Sequence, residues 1–234
     1  MESNKLVSVV IPTYEMVGEG SFFFELNLKK MIDQTYKNFE VVVTDHSLDS
    51  VIEDLCSKYS EKLNINYIRN DKKRGSSSSN MNNGIINCKG DIIKLLMQDD
   101  YFYDNKTLEN VVKIFNENKN INWLISGCVY GNKQGNVMGS LNPYYTHNII
   151  NGENRIGPPC VLTIKNESPL LFNENLIWMM DCDYYKRLFD KYGDPFVLND
   201  HQIFVTQHEN QVTNLITEER KNNEVKLIQK TYSL

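Results

Sequence analysis

Short apolar runs that stop at polar residues dominate the first hundred positions of the chain. They lie at residues 6–14, 39–45, 63–69 and 92–96 and predict β-strands. Residues 6–14 (LVSVVIPTY) and 39–45 (FEVVVTD) are nearly unbroken apolar, β-branched runs, which is typical of strands buried on both faces of a sheet. Residues 63–69 (LNINYIR) predict a weaker strand.

Segments of helical length and pattern alternate with these strands. They occupy residues 22–34, 48–59 and 77–88. Alternation of strand and helix along a chain predicts a parallel sheet with helices on both faces. Ligands of such sheets bind beyond the carboxyl ends of the strands. Pro12–Tyr14, Asp45 and Asp99–Asp100 all follow strand ends, so we expect them to converge on one rim.

The second half of the chain has fewer clear patterns. Residues 107–118 predict an amphipathic helix, and residues 121–130 and 161–164 predict strands. The Gly- and Asn-rich residues 131–142 predict a turn or a mobile loop. Residues 143–157 are polar and aromatic, and two interpretations stay open: a sugar-binding loop, because aromatic faces stack on sugar C–H surfaces, or a surface loop whose tyrosines pack locally.

Composition narrows the classes of protein and of partner. A chain of 234 residues with 41% apolar residues forms one domain, or one domain with an appendage. The net charge of −5 and the lack of a basic block disfavour a nucleic-acid partner. No segment approaches the roughly 18 apolar residues that span a bilayer, and no signal peptide is evident. Five scattered cysteines without CxxC spacing disfavour zinc and disulfides. We therefore expect a cytoplasmic protein, with peripheral membrane contact left open.

Two adjacent acids, Asp99 and Asp100, end the fourth apolar run. Neighbouring carboxylates repel each other, and burial adds to the cost unless a cation lies beside them. Hard oxygen ligands favour magnesium, manganese or calcium. A solvated turn is the alternative interpretation, because Asp is common after strands.

The segment after the first strand carries no glycine-rich phosphate loop. Residues 12–20 (PTYEMVGEG) match neither GxGxxG nor GxxxxGK[ST], which weighs against a dinucleotide oxidoreductase and a P-loop NTPase. A metal ion held by Asp99 would neutralise a diphosphate while the protein itself stays acidic.

Four segments together resemble family 2 glycosyltransferases of the GT-A fold. They are residues 7–14 (VSVVIPTY), 34–49 (QTYKNFEVVVTDHSLD), 75–100 and 172–188 (FNENLIWMMDCDYYKRL). The resemblance implies an α/β, GT-A-type nucleotide-diphospho-sugar transferase fold, with a mixed central sheet flanked by helices. It implies one domain over residues 1–234, with a nucleotide-binding half at 1–104 and an acceptor-side half with a C-terminal appendage at 105–234.

The resemblance also implies an activity. A sugar would pass from a nucleotide-diphosphate donor to a glycan or other acceptor hydroxyl, with inversion. Mn²⁺ or Mg²⁺ would stabilise the departing diphosphate, and a carboxylate would act as general base. Asp181 is the candidate base and Asp183 the second choice. Asp99, Asp100 and His208 are the implied metal ligands.

Further positions are expected to contact the nucleotide. They are Pro12, Thr13, Tyr14, Asp45, Arg74 and Gln98. The chain departs from the family pattern at Met97, which replaces the first acid of the Asp-x-Asp metal motif, and at Met180, where the family often has Glu. Two other classes stay open: a catalytically degenerate sugar- or partner-binding relative, which the altered motif favours, and a nucleotidyltransferase, which the missing glycine-rich basic loop disfavours.

Overall fold

The computed structural model describes residues 4–232, and one mixed sheet of nine strands forms its centre. The strands are β1 (Val7–Thr13), β2 (Phe39–Asp45), β3 (Ile65–Arg69), β4 (Ile92–Leu95), β5 (Tyr101–Phe102), β6 (Trp123–Gly131), β7 (Val137–Leu141), β8 (Leu162–Lys165) and β9 (Phe196–Thr206). Their order is β3-β2-β1-β4-β8-β6-β9-β5, and β7 pairs with β6. The predicted mixed sheet is thereby confirmed.

Seven α-helices belong to the described part of the chain. They are α1 (Gly20–Ile32), α2 (Val51–Tyr59), α3 (Ser77–Ile86), α4 (Thr107–Glu117), α5 (Met180–Tyr192), α6 (Val212–Leu215) and α7 (Glu218–Thr231). Short 3₁₀ turns lie at Met16–Gly18, His147–Asn151 and Pro159–Val161. Within residues 4–232, no helix has both the length and the apolarity needed to cross a bilayer.

The first half of the chain builds the parallel part of the sheet. β1 pairs in parallel with β2 and β4, and β2 pairs in parallel with β3, as the alternating pattern predicts. Every residue of β1 and β2 is buried, whereas β3 is only partly buried. Helix α3 packs closely on β1. Glycine at position 84 permits this approach, since a Cβ atom there would lie 2.3 Å from Val10 Cγ1.

The second half adds strands of both directions. β8 pairs antiparallel with β4 and β6, while β9 runs parallel to β6 and antiparallel to β5. The prediction of a turn over residues 131–142 is wrong in part, because β7 occupies most of the second half of that segment. The residues of β7 are largely exposed, so the strand has no apolar pattern by which the sequence could have indicated it.

One continuous sheet draws strands from both halves of the chain. β5 lies near the predicted boundary at residue 104, yet it pairs with β9 from the far end of the chain. The division into a nucleotide-binding half at residues 1–104 and an acceptor-side half at 105–234 stays a prediction about function. At the sheet's carboxyl edge Thr13 of β1 pairs with Asp45 of β2, so these strand ends meet as expected.

Candidate active site

A cleft of about 400 Å³ opens at the carboxyl ends of β1 and β4. Segments after β1, β4 and β9, the loop before α3, the turn before β8 and the start of α5 form its walls. Most of the predicted site residues line it: Pro12, Thr13, Tyr14, Arg74, Gln98, Asp99, Asp100 and Asp181. The structure therefore brings together residues that are widely separated in the sequence.

Asp99 meets His208 at the edge of this cleft. Asp99 Oδ2 lies 2.8 Å from His208 Nε2. The ring of His208 stacks on Phe23 with centroids 4.8 Å apart, and its buried Nδ1 has no hydrogen-bond partner within residues 4–232. A carboxylate oxygen and an imidazole nitrogen thus lie close enough together to bind one cation, but only Asp99 lines the cleft, and the side chain of His208 is 0% exposed.

The donor set fits magnesium or manganese. Among the described residues, no three His, Cys, Asp or Glu side chains gather as a preformed metal cage. Mg²⁺ is usually held by one or two carboxylates, together with substrate phosphates and water. Carboxylate oxygen also suits Mn²⁺, and imidazole nitrogen is a common ligand of first-row transition metals. Asp99 and His208 are therefore the residues that would hold the ion.

Asp100 faces a different environment from its neighbour. Its side chain is buried, and Oδ1 accepts a hydrogen bond from the backbone N–H of Thr206 at 3.0 Å. Burial and the adjacent Asp99 carboxylate raise the pKa of Asp100. Asp100 therefore ties the end of β9 to the loop after β4, and it lines the cleft with part of its carboxyl already engaged.

A buried lysine lies in the core near Asp100. The ammonium group of Lys94 donates to the backbone carbonyls of Cys160 and Leu162. Burial lowers the pKa of Lys94 to about 8. These bonds attach the turn that carries Pro159, a cleft residue, to the centre of the sheet.

Asp181 occupies the first turn of α5 and lines the cleft. Its Oδ2 accepts a hydrogen bond from Asn154 Nδ2 at 2.8 Å, and its Oδ1 accepts one from the N–H of Cys182 at 2.7 Å. Burial raises the pKa of Asp181 to about 6. A carboxyl group with such a pKa is suited to accept a proton near neutral pH.

Asp183 lies outside the cleft, although it is only two residues further on. Its carboxylate pairs with Arg187 at 2.7 Å and accepts a hydrogen bond from Tyr232 OH at 2.8 Å. The pair with Arg187 lies within α5, whereas the bond from Tyr232 fastens α5 to the end of α7. As the second choice for the base, Asp183 is therefore less well placed than Asp181, and its position indicates a structural role.

Asp45 is not on the exposed rim, where the sequence predicted it. The side chain is 0% exposed. Its carboxylate accepts hydrogen bonds from Thr13, Tyr67 and both the N–H and the hydroxyl of Ser47, and it pairs with Arg69 at 3.2 Å. Because protein donors surround both oxygens, Asp45 holds the loop after β2 beneath the cleft.

The residue after Asp45 reaches the cleft instead. His46 lines it, and its backbone carbonyl accepts a hydrogen bond from Arg74 NH1 at 2.7 Å. Burial lowers the pKa of the His46 imidazole. The sequence predicts no role for this histidine, since only its position beside Asp45 could have indicated one.

Gln98 also has its polar atoms engaged by the protein. Oε1 accepts from the N–H of Tyr14, and Nε2 donates to the carbonyls of Tyr14 and Gly20 at 3.0 and 2.8 Å. Gly20 allows this approach, since a Cβ there would lie 2.3 Å from the Tyr14 carbonyl. Gln98 thus shapes the segment after β1, and its expected contact with a nucleotide stays a prediction.

Other cleft residues carried no clear signal in the sequence. Asn80 of α3 lines the cleft and donates from Nδ2 to the carbonyls of Thr13 and Thr44. Ile177 and Trp178 border it just before α5. Four polar residues of α3 are buried, namely Ser78, Ser79, Asn80 and Asn82, and nothing in the sequence distinguishes Asn80 among them.

The aromatic loop at residues 143–157 lies behind the cleft wall. The ring of Tyr145 stacks on Phe189 with centroids 3.9 Å apart, and His147 contacts the same ring edge-on. This local packing favours the surface-loop interpretation. The loop nonetheless contributes Asn154, whose amide binds Asp181.

Comparison with known proteins finds the family that the sequence resembles. The family described as Glycosyl transferase family 2 matches residues 8–165. An uncharacterized glycosyltransferase of Rickettsia typhi is 32% identical over 118 residues, which cover 50% of this chain and 34% of the relative. The chain thus matches about a third of that relative's length.

Solved structures share the architecture. Staphylococcus aureus TarS in complex with UDP-GlcNAc superposes with a TM-score of 0.69 at 18% identity, over 96% of this chain and 65% of that one. A mannosyltransferase from Pyrobaculum calidifontis, PcManGT, in complex with GDP-Man and Mn²⁺, gives a TM-score of 0.60 at 14% identity, over 87% and 56%. With its GT-A-type fold and a family match over more than half of its length, the chain belongs to glycosyl transferase family 2.

Proposed function

We propose that the protein transfers a sugar from a nucleoside-diphosphate donor to an acceptor hydroxyl, with inversion at the sugar carbon. One observation carries this proposal: a single cleft holds both Asp99, bonded to His208, and Asp181. Asp99 and His208 can bind a cation that neutralises the diphosphate of a donor. The Asp181 carboxylate can accept the proton that an acceptor hydroxyl must lose.

The donor would lie along the edge formed by the ends of β1 and β4. Pro12–Tyr14 line that edge, and Arg74 and His46 approach it from the loops after β3 and β2. The guanidinium of Arg74 carries more N–H groups than its bonds to His46 and Asp71 use, so it can also contact phosphate or ribose oxygens. The UDP-GlcNAc and GDP-Man named for the two structural neighbours support a nucleotide sugar as donor.

Asp99 and His208 would hold Mn²⁺ or Mg²⁺. When bound, the ion supplies Lewis-acid stabilisation of the charge that develops on the departing diphosphate. The Mn²⁺ named for the mannosyltransferase neighbour supports this proposal. Asp100 would help to position His208, because the hydrogen bond that it accepts from the Thr206 N–H fixes the chain two residues before His208.

Asp181 would act as the general base. The acceptor oxygen forms a bond to the sugar carbon while the bond from that carbon to the diphosphate oxygen breaks, and the hydroxyl proton moves to the Asp181 carboxylate. Attack from the face opposite the leaving group needs one base and inverts the configuration, as in inverting glycoside hydrolysis. Asn154 orients this carboxylate through its bond to Oδ2.

One substitution favours a second function. Met97 lines the cleft at the position where the metal motif usually begins with an acid. A relative that binds a nucleotide sugar without transferring it would tolerate this loss. Incubation of the purified protein with UDP-GlcNAc and with GDP-Man, each with Mn²⁺ or with EDTA, separates the two functions. Metal-dependent release of nucleoside diphosphate supports transfer or hydrolysis, whereas metal-dependent thermal stabilisation without release supports binding alone.

A further inference from the structure

A buried carboxylate outside the cleft holds the segment that leads to Asp181. Glu224 of α7 is 2% exposed. Its oxygens accept hydrogen bonds from the backbone N–H groups of Ile177, Trp178 and Met179 at 2.9–3.1 Å. Arg220, one turn earlier on α7, donates to Oε1 from Nε at 2.7 Å. One side chain thereby satisfies three consecutive backbone donors.

These donors lie directly before α5. Met179 occupies the N-cap position and has no side-chain group with which to cap the helix, and the N–H of Cys182 is already bonded to Asp181. The approach to α5 therefore depends on Glu224 for its hydrogen-bond acceptors. Ile177 and Trp178 line the cleft, whereas Glu224 does not. The Glu224 carboxylate thus stabilises one wall of the cleft from the side that faces away from the cleft.

Other contacts of α7 reach the surroundings of Asp181. Tyr232 OH donates to Asp183 Oδ1 on α5 at 2.8 Å. Gln229 Nε2 donates to Asn151 Oδ1 at 2.9 Å, three residues before the Asn154 that binds Asp181. Helix α7 consequently contacts both elements that border the candidate base.

The chemistry of the contact supports a specific role for a carboxylate. Burial of a charge is unfavourable unless it is paired and hydrogen-bonded, and here three N–H groups and one guanidinium surround it. A negative charge also interacts favourably with the N-terminus of a helix. An apolar residue in the same place would leave all three N–H groups without a partner, so the segment could move away from α7.

We propose that Glu224 is a positioning residue for sugar transfer, which fixes residues 177–179 so that Asp181 and Trp178 keep their places in the cleft. This inference rests on the proposed role of Asp181 as base. Glu224 lies beyond residue 165, where the family match ends, and the contact comes from the C-terminal helix of the described chain. The expected effect is on the rate of transfer and not on the affinity for the donor.

The test compares Glu224→Gln with Glu219→Gln, a matched change at an exposed position of the same helix. For the folded fraction of each variant, kcat and the donor Kd are measured separately. Glu224→Gln puts an amide N–H₂ among backbone donors, so we expect kcat to fall on the order of ten- to a hundredfold, the scale of a small misplacement, with the donor Kd unchanged. Glu224→Asp keeps the charge and is expected to retain more of kcat. Glu219→Gln should match the parent.

Hydrogen exchange gives a second readout that does not need activity. The amides of Ile177–Met179 should exchange faster in Glu224→Gln, and those of β1 should not. If the parent protein transfers no sugar, the proposed function is wrong. The exchange measurement would still show whether Glu224 holds residues 177–179 in place. If Glu224→Gln does not fold, Glu224→Asp and Tyr232→Phe replace it, with a smaller loss of kcat expected at constant donor Kd. Parent-like kcat, or an equal loss of kcat and donor affinity, would overturn the proposal.

Discussion

Asp99 and His208 are 109 residues apart in the sequence, yet Oδ2 of one lies 2.8 Å from Nε2 of the other. The pairing of β9 with β5, immediately after the loop that carries Asp99, brings the residues that follow β9 to this loop. The bond from Asp100 to the N–H of Thr206 fixes the register of the two segments. The pair is therefore a product of sheet topology and not of any local motif.

Removal of Asp99 is expected to abolish metal-dependent nucleotide binding. The parent should gain thermal stability from UDP or GDP clearly with Mn²⁺ and only weakly without it, by mass action. Asp99→Ala should lose the metal-dependent part, because His208 alone binds the ion poorly. Asp33→Ala, at an exposed position after α1, is the control. Equal shifts in Tm with and without metal in the parent would contradict the proposed metal site.

Substitution of Asp45 is expected to destabilise the fold. Asp45→Ala removes one of the two acidic partners of Arg69 and the acceptor of buried donors such as Tyr67 OH and Ser47 N–H, which should lower the free energy of unfolding by about 2–4 kcal/mol. Urea denaturation measures the change. Glu61→Ala, at an exposed position after α2, should have little effect. A variant of parental stability that no longer binds nucleotide would instead support direct contact of Asp45 with the donor.

Asp181→Asn tests the general base. The amide keeps the shape of the side chain but accepts a proton poorly, so transfer should fall about a hundredfold or more while the donor Kd stays unchanged. Asp183→Asn should mainly reduce stability, because Asp183 pairs with Arg187 and Tyr232. Asp190→Asn, exposed on the same helix, is the matched control. Normal transfer by Asp181→Asn together with an inactive Asp183→Asn would reverse the two roles.

The pH dependence of kcat provides an independent check on the same residue. The pKa of Asp181 is raised to about 6, so the carboxylate that accepts the proton predominates only above that pH. We expect kcat to rise between pH 5 and pH 7 with a midpoint of about 6. The folded state also holds this proton more tightly than the unfolded chain does, so the contribution of Asp181 to stability decreases as the pH rises from about 4 to 6. A flat kcat profile across this range would contradict the assignment.

The parallel half of the fold could be predicted because its strands are buried on both faces. β1 and β2 consist entirely of buried residues, so each appears as a nearly unbroken apolar run. β9 could not be predicted in this way. Its first half is largely exposed, and its pairing with β6 shifts register around Gly127, so no regular alternation is present in the sequence.

For the candidate site, the sequence predicted where the acidic residues lie in the fold better than it predicted which side chains contact them. The sequence predicted Asp45 and Asp99 at or just after strand ends; Asp45 is the last residue of β2, and Asp99 lies in the turn that follows β4. It could not show that Thr13, Tyr67 and Arg69 direct their donors at Asp45, since those contacts arise from neighbouring strands. Glu224 gave no signal at all, because a glutamate in a charged helix is ordinarily exposed to solvent.

The position of β9 has a consequence for the order in which the protein assembles during synthesis. β9 lies between β6 and β5 but is the last of the nine described strands to leave the ribosome. Until it inserts, β6 has no partner on that side, and an unpaired strand edge can associate with other chains. The parallel strands near the N-terminus can form earlier. The contact between Asp99 and His208 would thus arise only after the late strand has closed the sheet.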